Sequence, residues 1–174
     1  MQSSAKALGH PIHQQLIVFP LGLLATAVVF DVLRLVTDND AFATASYFMI
    51  AAGVLSGLLA AVFGLIDYLA VPTGTRARRV GALHGGGNVM VVGLFAASWL
   101  LRNGEPGHVP TTVAFLLGVV GAVLATATGW LGGELVDRLG VGVDPDADLD
   151  APASFETGIR LHRAGDTTRG QHAG

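Results

Sequence analysis

The sequence predicts an all-α protein, a four-helix transmembrane bundle with up-down topology. Hydrophobic residues make up 51% of the 174 residues and charged residues only 13%, about half the charge that soluble domains carry. Four apolar stretches reach the length of about 20 residues that a helix needs to cross a bilayer. Alternation with a period of two residues, the pattern of a membrane β-barrel, is absent.

The four predicted spans cover approximately residues 11–36, 41–71, 82–101 and 109–139, with short polar turns between them. We therefore expect a cytoplasmic N-terminal segment (residues 1–10), a transmembrane domain (11–139) and a disordered, polar cytoplasmic tail with an acidic start (140–174). The orientation follows from basic residues, which concentrate on the cytoplasmic side of membrane proteins. They lie before the first span, in the second loop and after the fourth span: Lys6, Arg76, Arg78, Arg79 and Arg138. Both termini are predicted on the cytoplasmic side of a bacterial inner membrane.

Composition also excludes several kinds of site and partner. The chain has no cysteine, which excludes iron–sulfur clusters, thiolate metal sites, covalent haem attachment and disulfides. The net charge of −3 provides no basic surface, so nucleic acid is not expected as a partner. The lipid bilayer is the partner that the composition predicts.

Helices in lipid associate through close packing at small residues, and two spans carry such residues at four-residue spacing. They are Gly53, Gly57 and Ala61 in the second span, and Gly121, Ala125, Gly129 and Gly133 in the fourth. A weak internal repeat is also visible. An offset of 65 residues aligns Gly53 with Gly118 and Gly64 with Gly129. The repeat predicts two similar hairpins related by an axis along the membrane normal.

Ionisable side chains near the ends of membrane helices are where function concentrates. His10 and His13 begin the first span, and His84 begins the third, with Asn88 one turn deeper. The second and fourth spans end near Asp67 and Glu134. In the predicted topology all of these ends lie on the cytoplasmic side, so the side chains share one layer of the bundle.

This layer has two chemical interpretations besides polar capping of the helix ends, which is the favoured interpretation for His10. Imidazoles and carboxylates on facing helices can bind a transition metal, here with His10, His13, His84, Asp67 and Glu134 as ligands. Alternatively, His13 and His84 bind the two faces of a b-type haem. The glycines at residues 85–87 and 132–133 would then leave room for the macrocycle.

The remaining charged and histidine side chains are expected to be structural. Asp31 lies about 18 residues beyond His13, roughly 27 Å along a helix, which is too far for the same site. It is expected to pair with Arg34 at a spacing of three residues. Three further histidines are expected to face solvent: His108, His162 and His172.

Four motifs resemble a family of bacterial membrane proteins catalogued as domain of unknown function 2231. They are Gly9-His10-Pro11-Ile12-His13 with Phe19-Pro20-Leu21-Gly22 and Asp31, then Gly64-Leu65-Ile66-Asp67-Tyr68, then His84 with Asn88, and Gly129-Trp130-Leu131-Gly132-Gly133-Glu134. The resemblance covers approximately residues 8–140. The family has no established activity. In some members, a region that resembles this chain is fused to a Rieske-type or cytochrome domain. The resemblance therefore implies a membrane location and a redox context.

The leading hypothesis is a membrane protein with a haem b or transition-metal site, acting in electron transfer with a redox partner protein. One alternative is an accessory membrane subunit without chemistry of its own. Another is a proton or solute transport module in which Asp31, Asp67 and Glu134 line a path, with a homo-oligomer providing enough helices. The sequence leaves open whether the protein is an enzyme.

Overall fold

Helices make up most of the computed structural model, which describes residues 2–153. Within this part the α-helices are α1 (Ile12–Leu16), α2 (Val18–Thr37), α3 (Asp40–Ala70), α4 (Arg76–Arg102) and α5 (Thr112–Gly133). Two short strands, β1 (Lys6–Ala7) and β2 (His10–Pro11), pair antiparallel before α1. A π-helical turn, Glu134–Arg138, follows α5. Most of the predicted tail, including His162 and His172, lies outside the described residues.

Four segments are long and apolar enough to cross a membrane: Ile12–Thr37, Asp40–Ala70, Arg76–Arg102 and Pro106–Arg138. Large apolar side chains on their outer faces are exposed, among them Leu55, Val89 and Val123. Such a surface suits lipid, because the acyl chains are as apolar as leucine. The predicted all-α, four-helix fold is confirmed, and the third span begins six residues earlier than predicted.

Capped turns make the helices into two antiparallel hairpins. The first turn is two residues long, because Asp38 adopts the left-handed conformation (φ 54°) and Asn39 caps α3 by accepting a hydrogen bond from the Ala41 N–H. Thr75 and Thr111 cap α4 and α5 in the same way. We call α1–α3 the first hairpin and α4–α5 the second hairpin.

The two hairpins repeat the same internal contact. Leu24 of α2 packs where a side chain at Gly53 would lie, and Phe95 of α4 packs where a side chain at Gly121 would lie. Leu24 and Phe95 are 71 residues apart, whereas the two glycines are 68 apart. No single offset therefore aligns both helices, and the predicted offset of 65 is wrong.

The predicted small-residue stripes are partly confirmed. Gly53, Gly57 and Gly121 are buried, and a Cβ at each would meet a side chain of a neighbouring helix. Gly129 and Gly133 are exposed, and a Cβ there would have no neighbour within 4 Å among the described residues. The predicted stripe on α5 therefore holds at Gly121 but not at Gly129 and Gly133, and the second half of α5 contacts α4 through Thr128 and Gly132 instead.

The first span is interrupted at Ile17, between α1 and α2. Four residues before Pro20, the carbonyl of Leu16 cannot receive its helical hydrogen bond, because proline has no N–H. The neighbouring bonds from Ile17 N to His13 O (3.1 Å) and from Leu21 N to Ile17 O (3.2 Å) are present. The chain therefore follows a helical path from α1 into α2, but one helical hydrogen bond is missing just after His13.

Candidate functional site

A pair of histidines faces across the boundary between the two hairpins. His13 comes from α1 and His84 from α4, and both side chains are half-buried. Their ring centres are 6.5 Å apart, and the ring planes are perpendicular. Like Leu24 and Phe95, the two histidines are 71 residues apart, so they occupy equivalent positions in the two hairpins.

Each histidine is oriented by a backbone carbonyl of its own hairpin. His13 Nδ1 lies 2.9 Å from the carbonyl oxygen of Ala60, and His84 Nδ1 lies 2.9 Å from that of Thr128. A carbonyl oxygen can only accept, so in the neutral imidazole each Nδ1 carries the proton. Each Nε2 then keeps a lone pair, which is the form in which imidazole binds a metal.

His84 has additional support from Asn88 and Thr128. The Asn88 Nδ2 donates to the His84 carbonyl oxygen (2.9 Å) and lies 3.2 and 3.4 Å from the two ring nitrogens. Near-equal distances to both nitrogens place the amide over the ring face, away from the in-plane lone pair. The Thr128 hydroxyl donates to Asn88 Oδ1 (2.9 Å), which fixes the amide. Thr128 thus holds His84 both directly and through Asn88.

Glycines permit the close approach of both imidazoles. A Cβ at Gly64 would lie 2.8 Å from His13 Cε1, and a Cβ at Gly132 would lie 3.1 Å from His84 Cε1. These glycines are 68 residues apart, as Ala60 and Thr128 are. The helix positions that receive the rings are therefore also equivalent.

The carboxylates predicted in the same layer have other partners. Asp67 accepts hydrogen bonds from the Ser3 hydroxyl (2.7 Å) and the Ser4 N–H (2.8 Å), and Glu134 forms an ion pair with Arg76. His10 lies in β2 and is exposed. Within residues 2–153, no three His, Cys, Asp or Glu side chains form a group that could hold a metal ion.

A buried ion pair lies at the opposite end of the bundle. Arg102 binds Asp31 through two parallel hydrogen bonds of 2.7 Å, and the two residues are 0% and 1% exposed. The Arg102 guanidinium also donates to the hydroxyls of Ser46 and Ser98, each at 3.1 Å. Asp31 and Arg102 are again 71 residues apart. They occupy equivalent positions in the two hairpins, as the histidines do.

The predicted partner of Asp31 is wrong. Asp31 does not pair with Arg34, whose guanidinium instead binds the Asp38 and Asp40 carboxylates at the helix turn. A buried aspartate requires a buried partner, and Arg102 provides one with two parallel hydrogen bonds.

His108 was expected to face solvent, but it packs against the bundle. Its ring stacks on Tyr47, with the ring centres 3.8 Å apart and the planes 6° from parallel. His108 Nδ1 also lies 3.3 Å from the Arg102 carbonyl oxygen. A loop position therefore does not imply a solvated side chain here, since the aromatic face of Tyr47 covers it.

The residues that support the two pairs were not predicted from the sequence. Ser46, Ser98 and Thr128 are small polar residues in apolar spans and carry no motif. One signal was available: Arg102 ends a membrane span, and an aspartate in another span is its natural partner. The carbonyl oxygens of Ala60 and Thr128 carry no sequence signal at all.

These features define an integral membrane protein built as a four-helix bundle of two similar hairpins. The chain belongs to the family described as "Predicted membrane protein (DUF2231)", which matches residues 9–145. This match confirms the resemblance drawn from the sequence motifs. No curated protein and no solved structure is significantly similar to the chain.

Proposed function

We propose that the protein is a b-type cytochrome of the membrane, with His13 and His84 as the two axial ligands of one haem. The observation that carries this proposal is the pairing of the histidines across the hairpin boundary, each with Nδ1 on a backbone carbonyl. Both Nε2 atoms are thereby available to a metal. Haem supplies reversible one-electron chemistry, and electron transfer is the function that follows.

The spacing of the rings supports this assignment. A metal–nitrogen bond of about 2.0 Å on each side would place the centres of two coaxial imidazoles roughly 6 Å apart. The observed separation of the ring centres is 6.5 Å. Gly85 and Gly86 are exposed, and a Cβ at either would have no neighbour within 4 Å among the described residues, so α4 is open on its outer face next to His84, whereas Gly87 packs against Thr128.

Haem fits these residues better than a bare transition-metal ion does. A structural zinc ion takes four protein ligands and a catalytic one usually takes three. Within the described residues, no group of three metal-ligating side chains includes the histidine pair. Haem brings four nitrogens of its own and needs only two axial ligands, which is the number of side chains present.

The carboxylate contacts favour electron transfer over a transport path. Asp31, Asp67 and Glu134 bind Arg102, the N-terminal segment and Arg76, respectively. Three carboxylates with such separate partners do not form a continuous polar route. A haem with two histidine ligands has no open coordination position for a substrate. Such a haem is therefore suited to exchanging electrons with a partner protein.

An absorption spectrum of the detergent-purified protein, expressed with a haem precursor, tests this proposal. We expect a Soret band in the oxidised protein and sharp α and β bands after reduction with dithionite. His13→Ala and His84→Ala should each abolish the low-spin spectrum, while His10→Ala and His108→Ala should retain it. A folded, haem-supplied protein without a Soret band would exclude the cytochrome and favour an accessory subunit.

We further propose that the histidine end faces the cytoplasm of a bacterial inner membrane. Arg76, Arg78 and Arg79 begin α4 at that end, and the positive-inside rule orients such loops toward the cytoplasm. Because the chain has no cysteine, single cysteines give an unambiguous test. In right-side-out vesicles, an impermeant maleimide should label Gly104→Cys and spare Gly74→Cys. The reverse labelling pattern would invert the proposed orientation.

A further inference from the structure

His13 lies on a short segment that a break in the helix sets off from the rest of the first hairpin. Residues 2–16, which we call the N-terminal arm, comprise the β1–β2 pair and the five-residue α1. The Ile12 N–H donates to the Ala5 carbonyl oxygen (2.9 Å), which ties the strand pair to α1. The arm joins α2 at Ile17, where Pro20 removes one helical hydrogen bond.

A single carboxylate attaches the far end of the arm to α3. Asp67 accepts from the Ser3 hydroxyl at 2.7 and 2.9 Å, and from the Ser4 N–H at 2.8 Å. The Ala5 N–H lies 3.3 Å from the same carboxylate. Ser3 is buried although it is next to the start of the described chain. Asp67 follows Gly64, the residue that receives the His13 ring, by one helical turn.

The two histidines are thus held very differently. His84 belongs to an unbroken helix of 27 residues, and Asn88 and Thr128 restrain its ring. At the equivalent positions, His13 has Ile17 and Ala60, whose side chains cannot form hydrogen bonds. The His13 ring is oriented by its hydrogen bond to the Ala60 carbonyl oxygen.

We infer that the N-terminal arm is a latch that controls whether His13 occupies the site, and that Asp67 holds this latch closed. This inference rests on the proposed function, since it assigns the two axial ligands different roles. His84 is the fixed ligand and His13 the exchangeable one. When the arm leaves Asp67, His13 would withdraw with it, and a bound haem would then be held by His84 alone and could take a small neutral ligand in place of His13.

Chemical modification of the cofactor-free protein tests the latch without reference to haem. Diethylpyrocarbonate acylates accessible imidazoles, and mass spectrometry gives a rate for each histidine. Asp67→Asn should raise the rate at His13 roughly tenfold, as expected for lost hydrogen bonds to a charged group, and leave His84 unchanged. Ser3→Ala provides a milder variant for the case that Asp67→Asn misfolds. Glu134→Gln, a carboxylate at the same end that binds Arg76, is the matched control.

Carbon monoxide tests the exchange of ligands in the haem-loaded, dithionite-reduced protein. We expect little spectral change for the native chain and rapid formation of a carbonyl spectrum in Asp67→Asn. A protein without haem would refute the proposed function, while the diethylpyrocarbonate rates would still decide the latch. Unchanged rates at His13 in both Asp67→Asn and Ser3→Ala, or equal increases at His13 and His84, would overturn the latch.

Discussion

Asp31 and Arg102 occupy equivalent positions in the two hairpins and bind each other directly, with both hydrogen bonds at 2.7 Å. His13 and His84 are equivalent in the same sense and face each other at the other end of the bundle. When two related positions meet, they lie on the axis that relates the hairpins. The pseudosymmetry axis therefore passes through an ion pair at one end and an imidazole pair at the other.

The ion pair should dominate the stability of its end of the bundle. Asp31→Asn or Arg102→Met leaves one buried charge without its partner, which costs about 3–5 kcal/mol of unfolding free energy. Unfolding in mixed micelles by increasing sodium dodecyl sulfate measures this loss. Arg34→Gln removes exposed ion pairs at the same end and should cost less than about 1 kcal/mol.

The equivalence of the two positions permits a sharper test. The double variant Asp31→Arg, Arg102→Asp exchanges the charges across the axis and keeps the pair. It should be more stable than either charge-reversal single variant, since each single variant buries two like charges. If the double variant is as unstable as the single ones, the two positions are not equivalent in their surroundings.

The spans and the histidine layer could be predicted from sequence because each depends on local properties. Helix length follows from apolar runs, and the depth of His13 and His84 follows from their distance to a span end. The partner of Asp31 could not be predicted, because the choice between Arg34 and Arg102 depends on which helix faces are buried. Asp67 likewise looked like a member of the histidine layer, and only the folded N-terminal segment shows what it binds.

The register of the repeat failed for a related reason. The separation from Leu24 to Gly53 in the first hairpin is three residues longer than the separation from Phe95 to Gly121 in the second, so one offset cannot align both. Leu24 and Phe95 also differ in residue type, although each packs against a glycine. The similarity therefore lies in the packing geometry and is nearly invisible in residue identity.

Two glycine-to-alanine substitutions should distinguish the effect of a lost histidine contact from the effect of helix propensity. A methyl group at Gly64 would lie 2.8 Å from the His13 ring and displace it, whereas one at Gly22 would meet no atom within 4 Å of the described structure. Gly64→Ala should therefore lower haem content, measured as the Soret absorbance per protein. Gly22→Ala should leave it unchanged and raise stability by up to about 1 kcal/mol. Equal haem content in the two variants would contradict the placement of His13 against Gly64.

Thr128→Val should loosen His84 without removing its carbonyl partner. The substitution deletes the hydroxyl that donates to Asn88 Oδ1 while keeping the shape and the Thr128 carbonyl oxygen. The Asn88 amide then keeps its hydrogen bond to the His84 carbonyl oxygen but loses the one that fixes its Oδ1. A bound haem should therefore show a shifted reduction potential and a broader range of ligand orientations in electron paramagnetic resonance. Thr126→Val, whose hydroxyl bonds within its own helix, is the matched control. Identical spectra for the two variants would show that the Thr128 hydroxyl does not position His84.

Acidification should release the contact between the N-terminal arm and Asp144 only at low pH. The backbone N–H of Asp146, and then the Gln2 side chain and Lys6, lower the pKa of Asp144 below its ordinary value of 3.8. A carboxyl whose pKa is lowered on folding contributes stability above its unfolded pKa, and this contribution is lost as the pH falls through the folded value. Exchange of the arm's amide hydrogens, corrected for the intrinsic pH dependence of exchange, should therefore not change between pH 7 and pH 5 through this contact. Asp144→Asn should raise exchange in the arm less than Asp67→Asn does, because Asp144 is exposed and its ion pair is screened by water. A larger effect from Asp144→Asn would make Asp144, and not Asp67, the main attachment of the arm.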